Sequence, residues 1–141
     1  MRYVSTRGRA PERGFCDILL SGLADDGGLY VPAQYPRVDL AQLDRWRALD
    51  YADLATEVIA RFATDIARDR LSAMCRATYT AAAFGNARAG SDAAMIAPLR
   101  QLEPGLALLE LSNGPTLAFK DMAMQLLGAL FEHVLHERGG R

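Results

Sequence analysis

The chain has 141 residues, half of them hydrophobic, with 16 basic against 17 acidic side chains and a formal net charge of −1. That much apolar matter at so low a charge excludes disorder as the main state, and near-balanced charge without a dense basic run argues against a nucleic-acid footprint. The longest unbroken hydrophobic run, residues 93–97, falls far short of the roughly 18 residues a membrane-spanning helix needs.

Residues 2–6 read as a short strand and 7–14 as a loop. Phe15, Ile18, Leu19 and Leu23 recur at helical spacing, which predicts a short helix over 15–22. Asp25-Asp26-Gly27-Gly28 is a turn, and Leu29-Tyr30-Val31 is an extended piece stopped by Pro32. Asp39 caps a helix through Leu40, Leu43 and Trp46. A second helix runs over 51–62, with Leu54, Val58 and Phe62 along one side, and Leu71, Met74, Cys75 and Thr78 predict a third. Residues 84–92 form a loop of Gly, Asn and Ser. Residues 95–102 and 106–111 read as two strands about the turn Glu103-Pro104-Gly105, and Pro98 confines the first to an edge.

The last predicted helix, over 117–135, is unusual. Asp121, Gln125, Gly128 and Glu132 form one narrow polar stripe, while Phe119, Met122, Ala123, Met124, Leu126, Leu127, Leu130, Phe131 and Val134 cover most of the rest. A helix apolar nearly all round belongs inside a larger body, so the chain reads as a fragment, or as one whose last helix is covered by another chain. Lys120 falls within the apolar arc, between Leu127 and Phe131. An ammonium there is costly unless it snorkels to solvent or pairs, for instance with Asp121. It is also the only lysine, against 15 arginines. Codon bias alone can produce such a ratio. Arginine, however, keeps its proton in proteins, whereas a lysine can lose it and act as a nucleophile.

The loop ahead of this helix is Ser112-Asn113-Gly114-Pro115-Thr116. Gly and Pro fix a tight bend, and Thr116 is placed to act as N-cap. A strand, a glycine-containing turn and a helix opening on a reactive residue make a scaffold for a site. The other candidates are weaker. Cys16 and Cys75 lack C-x-x-C or metal-ligand spacing and read as two buried thiols in a reducing cytosol. His133 and His136 lie three apart with no evident third ligand and read as surface histidines, so no metal is expected. Asp25-Asp26-Gly27 lacks the later Glu of a calcium loop. Asp65 and Asp69 with Arg61, Arg68 and Arg70 read as a solvated helix face. Arg2, Arg7, Arg9 and Arg13 are not followed by the apolar stretch of a secretion signal.

The stretch Gly114-Pro115-Thr116-Leu117-Ala118-Phe119-Lys120-Asp121 resembles the lysine motif of threonine synthases, members of the tryptophan-synthase-β-like class of pyridoxal-phosphate enzymes. Tyr3-Val4-Ser5-Thr6-Arg7-Gly8 resembles their N-terminal strand, and Gly22-Leu23-Ala24-Asp25-Asp26-Gly27-Gly28-Leu29-Tyr30-Val31-Pro32 the turn after it. Together, periodicity and resemblance imply a mixed α/β fold. A helix-rich N-terminal domain with a small sheet occupies residues 1–94, and the start of a truncated cofactor domain occupies 95–141. The resemblance further implies that Lys120 holds pyridoxal 5′-phosphate as a Schiff base and then moves protons, with Asn113 and Thr116 as further cofactor contacts. The implied reaction turns O-phospho-L-homoserine and water into L-threonine and phosphate in the cytoplasm. Many relatives carry Phe-His where this chain has Ser112-Asn113. No glycine-rich phosphate cradle follows the lysine, so the 141 residues alone are expected to be inactive and to need the rest of the cofactor domain, or a neighbouring chain. Two alternatives stand beside this reading: a non-enzymatic helical interaction module, and another lyase of the same cofactor class. Residues 23–32 favour threonine synthase over the latter.

Overall fold

The computed structural model describes residues 1–85 and 95–139. Strand β1 (Tyr3–Ser5) pairs antiparallel with β2 (Tyr30–Pro32), Val4 opposite Val31, and helix α1 (Phe15–Ser21) lies between them in sequence. The turn before β2 is organised by one carboxylate. Asp26 accepts from Ser5 Oγ at 2.7 Å and from the backbone N–H groups of Arg9, Ala10 and Gly28 at 2.9, 3.0 and 2.9 Å. These donors, the Ser5 hydroxyl above all, favour the charged form and hold its carboxyl at about 2. Gly28 is buried against this hub, and a Cβ there would collide with Ser5 Oγ.

Helices α2 (Leu40–Trp46) and α3 (Tyr51–Ile59) open on Asp39 and Asp50, whose carboxylates accept from the N–H groups of Gln42 and Asp53 at 2.7 and 2.8 Å. Each such cap is worth about 1 kcal/mol. Helix α3 stops short of the expected residue 62. There the N–H groups of Arg61 and Phe62 bond three residues back, to Val58 and Ile59, and this tighter winding lets the chain turn. Helix α4 (Arg68–Thr78) follows. After it comes a short α5 (Ala81–Phe84), which the sequence reading missed and which Thr80 caps by accepting from Ala83 N–H. From residue 86 the expected loop over 84–92 lies outside the described residues, as does the expected domain boundary at 94.

The core gathers Ala52 of α3, Ala63, Ile66, Leu71 and Cys75 of α4, and Leu126 and Leu130 of α6 (Asp121–Glu137). Leu126, Leu130 and Val134 recur every four residues, so they form the single line along which α6 meets α4 and α1. Tyr79 Oη donates to Met122 O at 2.8 Å, and Arg138 pairs with Asp17 of α1. The chain therefore covers only one side of its own last helix, so part of the apolar girth read from the sequence is left uncovered by the preceding residues. Met124 and Leu135 stay exposed.

The second sheet is a hairpin of β3 (Leu99–Glu103) and β4 (Leu106–Leu109), with Leu99 opposite Leu109 and Arg100 opposite Leu108. Gly105 takes φ +84 in its turn, a conformation that glycine adopts at no steric cost. The strands are shorter than predicted. Pro98, which has no N–H to donate, lies just outside β3, and its carbonyl accepts from Glu110 N–H at 2.9 Å at the end of the ladder. Every residue of both strands is exposed, including Leu99, Leu102, Leu106, Leu108 and Leu109. The architecture is thus mixed α and β and helix-rich, as expected, but its strands form two separate two-stranded antiparallel sheets rather than one small sheet. No described helix is long and apolar enough to cross a membrane.

Candidate active site

Between β4 and α6 the backbone is held by a network that starts at Asp121, the first residue of α6. This side chain is only 4% exposed. Its Oδ2 accepts from Thr116 N–H at 2.7 Å and its Oδ1 from Thr116 Oγ1 at 2.8 Å. Such close approach is possible because residue 114 is glycine: a Cβ there would collide with the Asp121 Cβ and carboxylate. Asn113 is buried too, its amide nitrogen donating to Glu110 O at 3.2 Å and Ile96 O at 3.5 Å.

Leu117 follows with φ +60, the one non-glycine residue in the left-handed region among those described. Such a conformation costs of order 1–3 kcal/mol and persists only where the surroundings over-determine it. Here Leu117 N–H donates to Gly114 O at 3.1 Å, and Ala118 N–H to Thr116 Oγ1 at 3.4 Å. Two more tight turns, Asp121 N–H to Ala118 O and Met122 N–H to Phe119 O, lead into the helix.

Lys120 is the N-cap of α6. Its carbonyl accepts from Ala123 and Met124 N–H at 3.0 and 2.9 Å, and its side chain is exposed. Three expectations are corrected here. The helix opens at Asp121 rather than 117, because Leu117 at positive φ cannot belong to a right-handed helix. Thr116 is not the N-cap, because the helix opens five residues later, at Asp121, to which the Thr116 hydroxyl donates. Lys120 does not lie in a buried arc and does not take Asp121 as partner, and Asp121 is buried instead of belonging to a solvent-facing stripe.

An open cleft of about 510 Å³ runs alongside the hairpin's second strand, lined by Leu108, Leu109, Ser112, Asn113 and Leu117 among others. It brings Asn113 and the strained Leu117 to one surface, whereas Thr116 and Lys120 do not line it. Glu110, also on its wall, pairs with Arg100 Nε at 2.9 Å.

The remaining candidates lie elsewhere. His133 and His136 border a separate groove with Arg70 and Glu132, and no three metal-ligating side chains converge among the described residues. Both cysteines are free. Cys75 is fully buried, whereas Cys16 is only half-buried, its thiol pushed up to about 11 by burial and then by Asp65. Sequence reasoning missed Asp121. The signal was present in the glycine three residues before the loop's Leu117 and the acid directly after the lysine.

Residues 2–79, more than half of the chain, match the family model described as threonine synthase N terminus. Threonine synthase of Methylobacillus glycogenes is 52% identical over 139 residues, covering 99% of this chain and 29% of that protein. The Pseudomonas aeruginosa threonine synthase is 49% identical over 142 residues, covering 100% of this chain and 28% of its own length. A crystal structure of pyridoxal-phosphate-bound threonine synthase from Brucella melitensis superposes with a TM-score of 0.88 at 44% identity, covering all of this chain and 29% of that one. The chain thus spans under a third of the length of these relatives. Family model, relatives and fold agree, and the chain belongs to the threonine synthase N-terminus family.

Proposed function

We propose that this chain supplies the N-terminal part of a pyridoxal-phosphate-dependent threonine synthase, the enzyme that converts O-phospho-L-homoserine and water into L-threonine and phosphate. The observation that carries the reading is the presentation of Lys120. The chain's only lysine stands exposed at the opening of α6, on a loop whose conformation is over-determined by Asp121, Thr116 and Gly114. An accessible primary amine on a fixed backbone fits an aldehyde cofactor. Lys120 would hold it through Nζ, and Asn113 and Thr116 would contribute the adjoining wall and loop. When bound, the cofactor supplies an electron sink for carbanion chemistry.

Lys120 Nζ would hold the cofactor and, when free, would accept and return protons at the substrate carbons, a role that arginine, which keeps its proton, cannot fill. The overall reaction would release phosphate from the γ carbon and add water at the β carbon. Catalysis also needs preorganised donors for the departing phosphate, and no glycine-rich run follows Lys120, so the 141 residues alone do not turn over.

In this reading residues 1–94 form the N-terminal domain and 95–141 the start of the cofactor domain. The remainder of that domain, or a neighbouring chain, covers the exposed leucines of the hairpin together with Phe119, Met124 and Leu135. The assembled enzyme works in the cytoplasm on a small-molecule substrate, without nucleic acid or membrane. The test is phosphate release from O-phospho-L-homoserine by the full-length enzyme, by Lys120→Arg and by the 141-residue chain. Turnover in the first alone is the expected result. Near-normal turnover in Lys120→Arg, or phosphate release by the isolated chain, overturns the reading.

A further inference from the structure

We infer that Asp121 is a positioning residue for Lys120: its buried carboxylate, clamped on Thr116, sets the conformation of the loop that ends in the amine-bearing residue. This rests on the reading of Lys120 given above and goes beyond it.

A buried carboxylate needs partners, and Asp121 finds two on a single residue, the N–H and the hydroxyl of Thr116 at 2.7 and 2.8 Å. Between Thr116 and Asp121 lie four residues, the last of which is Lys120. The clamp therefore closes a short ring of backbone around the lysine. Inside the ring sits Leu117 at φ +60, a conformation the residue does not adopt by preference. Something outside Leu117 must hold it there. Thr116 is fixed on one side by Asp121, and its hydroxyl oxygen accepts from Ala118 N–H on the other side of Leu117. Gly114 completes the device. Its missing side chain makes room for the carboxylate, and its carbonyl accepts from Leu117 N–H. If Asp121 is removed, the ring opens, Leu117 relaxes, and the backbone that carries Lys120 loses its fixed starting point. Misplacement of a reacting group by about 1 Å can cost on the order of a hundredfold in rate.

Asp121 touches no reacting atom in this scheme, so the test reads position rather than activity alone. The full-length enzyme is prepared as wild type, Asp121→Ala, Asp121→Asn and Thr116→Val, stripped of cofactor. Pyridoxal 5′-phosphate is then added, and attachment at Lys120 is followed by borohydride trapping and peptide mapping. Hydrogen exchange over residues 114–121 is measured on the same samples. Asp121→Ala is expected to slow attachment at least about tenfold and to speed exchange across the loop. Asp121→Asn keeps an oxygen for Thr116 N–H, and the rotating hydroxyl can accept from its amide, so it should recover most of the wild-type rate. Thr116→Val removes one of the two bonds and should fall between. If Asp121→Ala does not fold, the ordering of wild type, Asp121→Asn and Thr116→Val decides. Wild-type attachment rates and exchange in Asp121→Ala, or in Thr116→Val where Asp121→Ala is unfolded, overturn the inference while leaving Lys120 in place. Trapping on a residue other than Lys120 in the wild type overturns the functional reading itself.

Discussion

Replacing Leu130 by alanine tests whether α6 is seated on its own chain. Leu130 is 5% exposed and belongs to the core with Leu71, Cys75 and Ala63, whereas Met124 on the same helix is 55% exposed. Leu→Ala removes three carbons, about 2.4 kcal/mol at roughly 0.8 kcal/mol per buried CH₂. The cavity left behind raises this to about 3–4 kcal/mol, within the measured range for such changes. At a urea m-value of about 2 kcal/mol/M the midpoint should fall by about 1.5–2 M at unchanged slope, and at about 3 °C per kcal/mol the Tm by about 10 °C. In the isolated 141-residue chain, where Met124 has no cover, Met124→Ala should stay within about 0.5 kcal/mol. The assay is urea unfolding of the purified protein followed by far-UV circular dichroism. A loss under 1 kcal/mol in Leu130→Ala, or equal losses in both variants, would show that α6 is not docked along the line Leu126, Leu130, Val134.

Three further outcomes follow from particular contacts. Asp26 has a depressed folded-state carboxyl, at about 2 against 3.8 for the free group, so its contribution is fully present above about pH 4 and lost as pH falls towards 2. Acid titration of Asp26→Asn should therefore show lower stability at neutral pH and a flatter fall between pH 4 and 2; an unchanged acid limb would refute the hub. Tyr79→Phe removes the hydroxyl that donates to Met122 O and should cost about 1 kcal/mol in the same unfolding assay, with no loss counting against that bond. Cys16, with its thiol held at about 11, should react with iodoacetamide at pH 8 about two orders of magnitude more slowly than a free cysteine, and buried Cys75 more slowly still. Labelling of either at the free rate would contradict the burial described.

What could be read in the sequence was what is local. Asp39 acts on an N–H group three residues ahead, so helix α2 was legible from its first residues, and α3 from the helical spacing of Leu54 and Val58, whereas its cap Asp50 was not picked out. The hairpin turn was legible because proline and glycine set it directly. The hub at Asp26 was not, because Ser5 lies 21 residues away and only the β1–β2 pairing brings the two together. The start of α6 was misjudged for a related reason. Leu117, Ala118, Phe119 and Lys120 fit the helical period, but a carboxylate folding back five residues onto Thr116 holds them out of the helix. The lysine motif was legible as a resemblance. The exposure of Lys120, and the burial of its neighbour in its stead, needed the structure.

Borohydride reduction of the cofactor-loaded full-length enzyme, followed by proteolysis and mass mapping, identifies the residue that carries the cofactor. A pyridoxyl adduct on Lys120, absent from Lys120→Arg, is the predicted result. It should also block tryptic cleavage after Lys120, so that residues 101–138 emerge as one labelled peptide between Arg100 and Arg138. An adduct on any other residue of the enzyme, with Lys120 unmodified, would contradict the account.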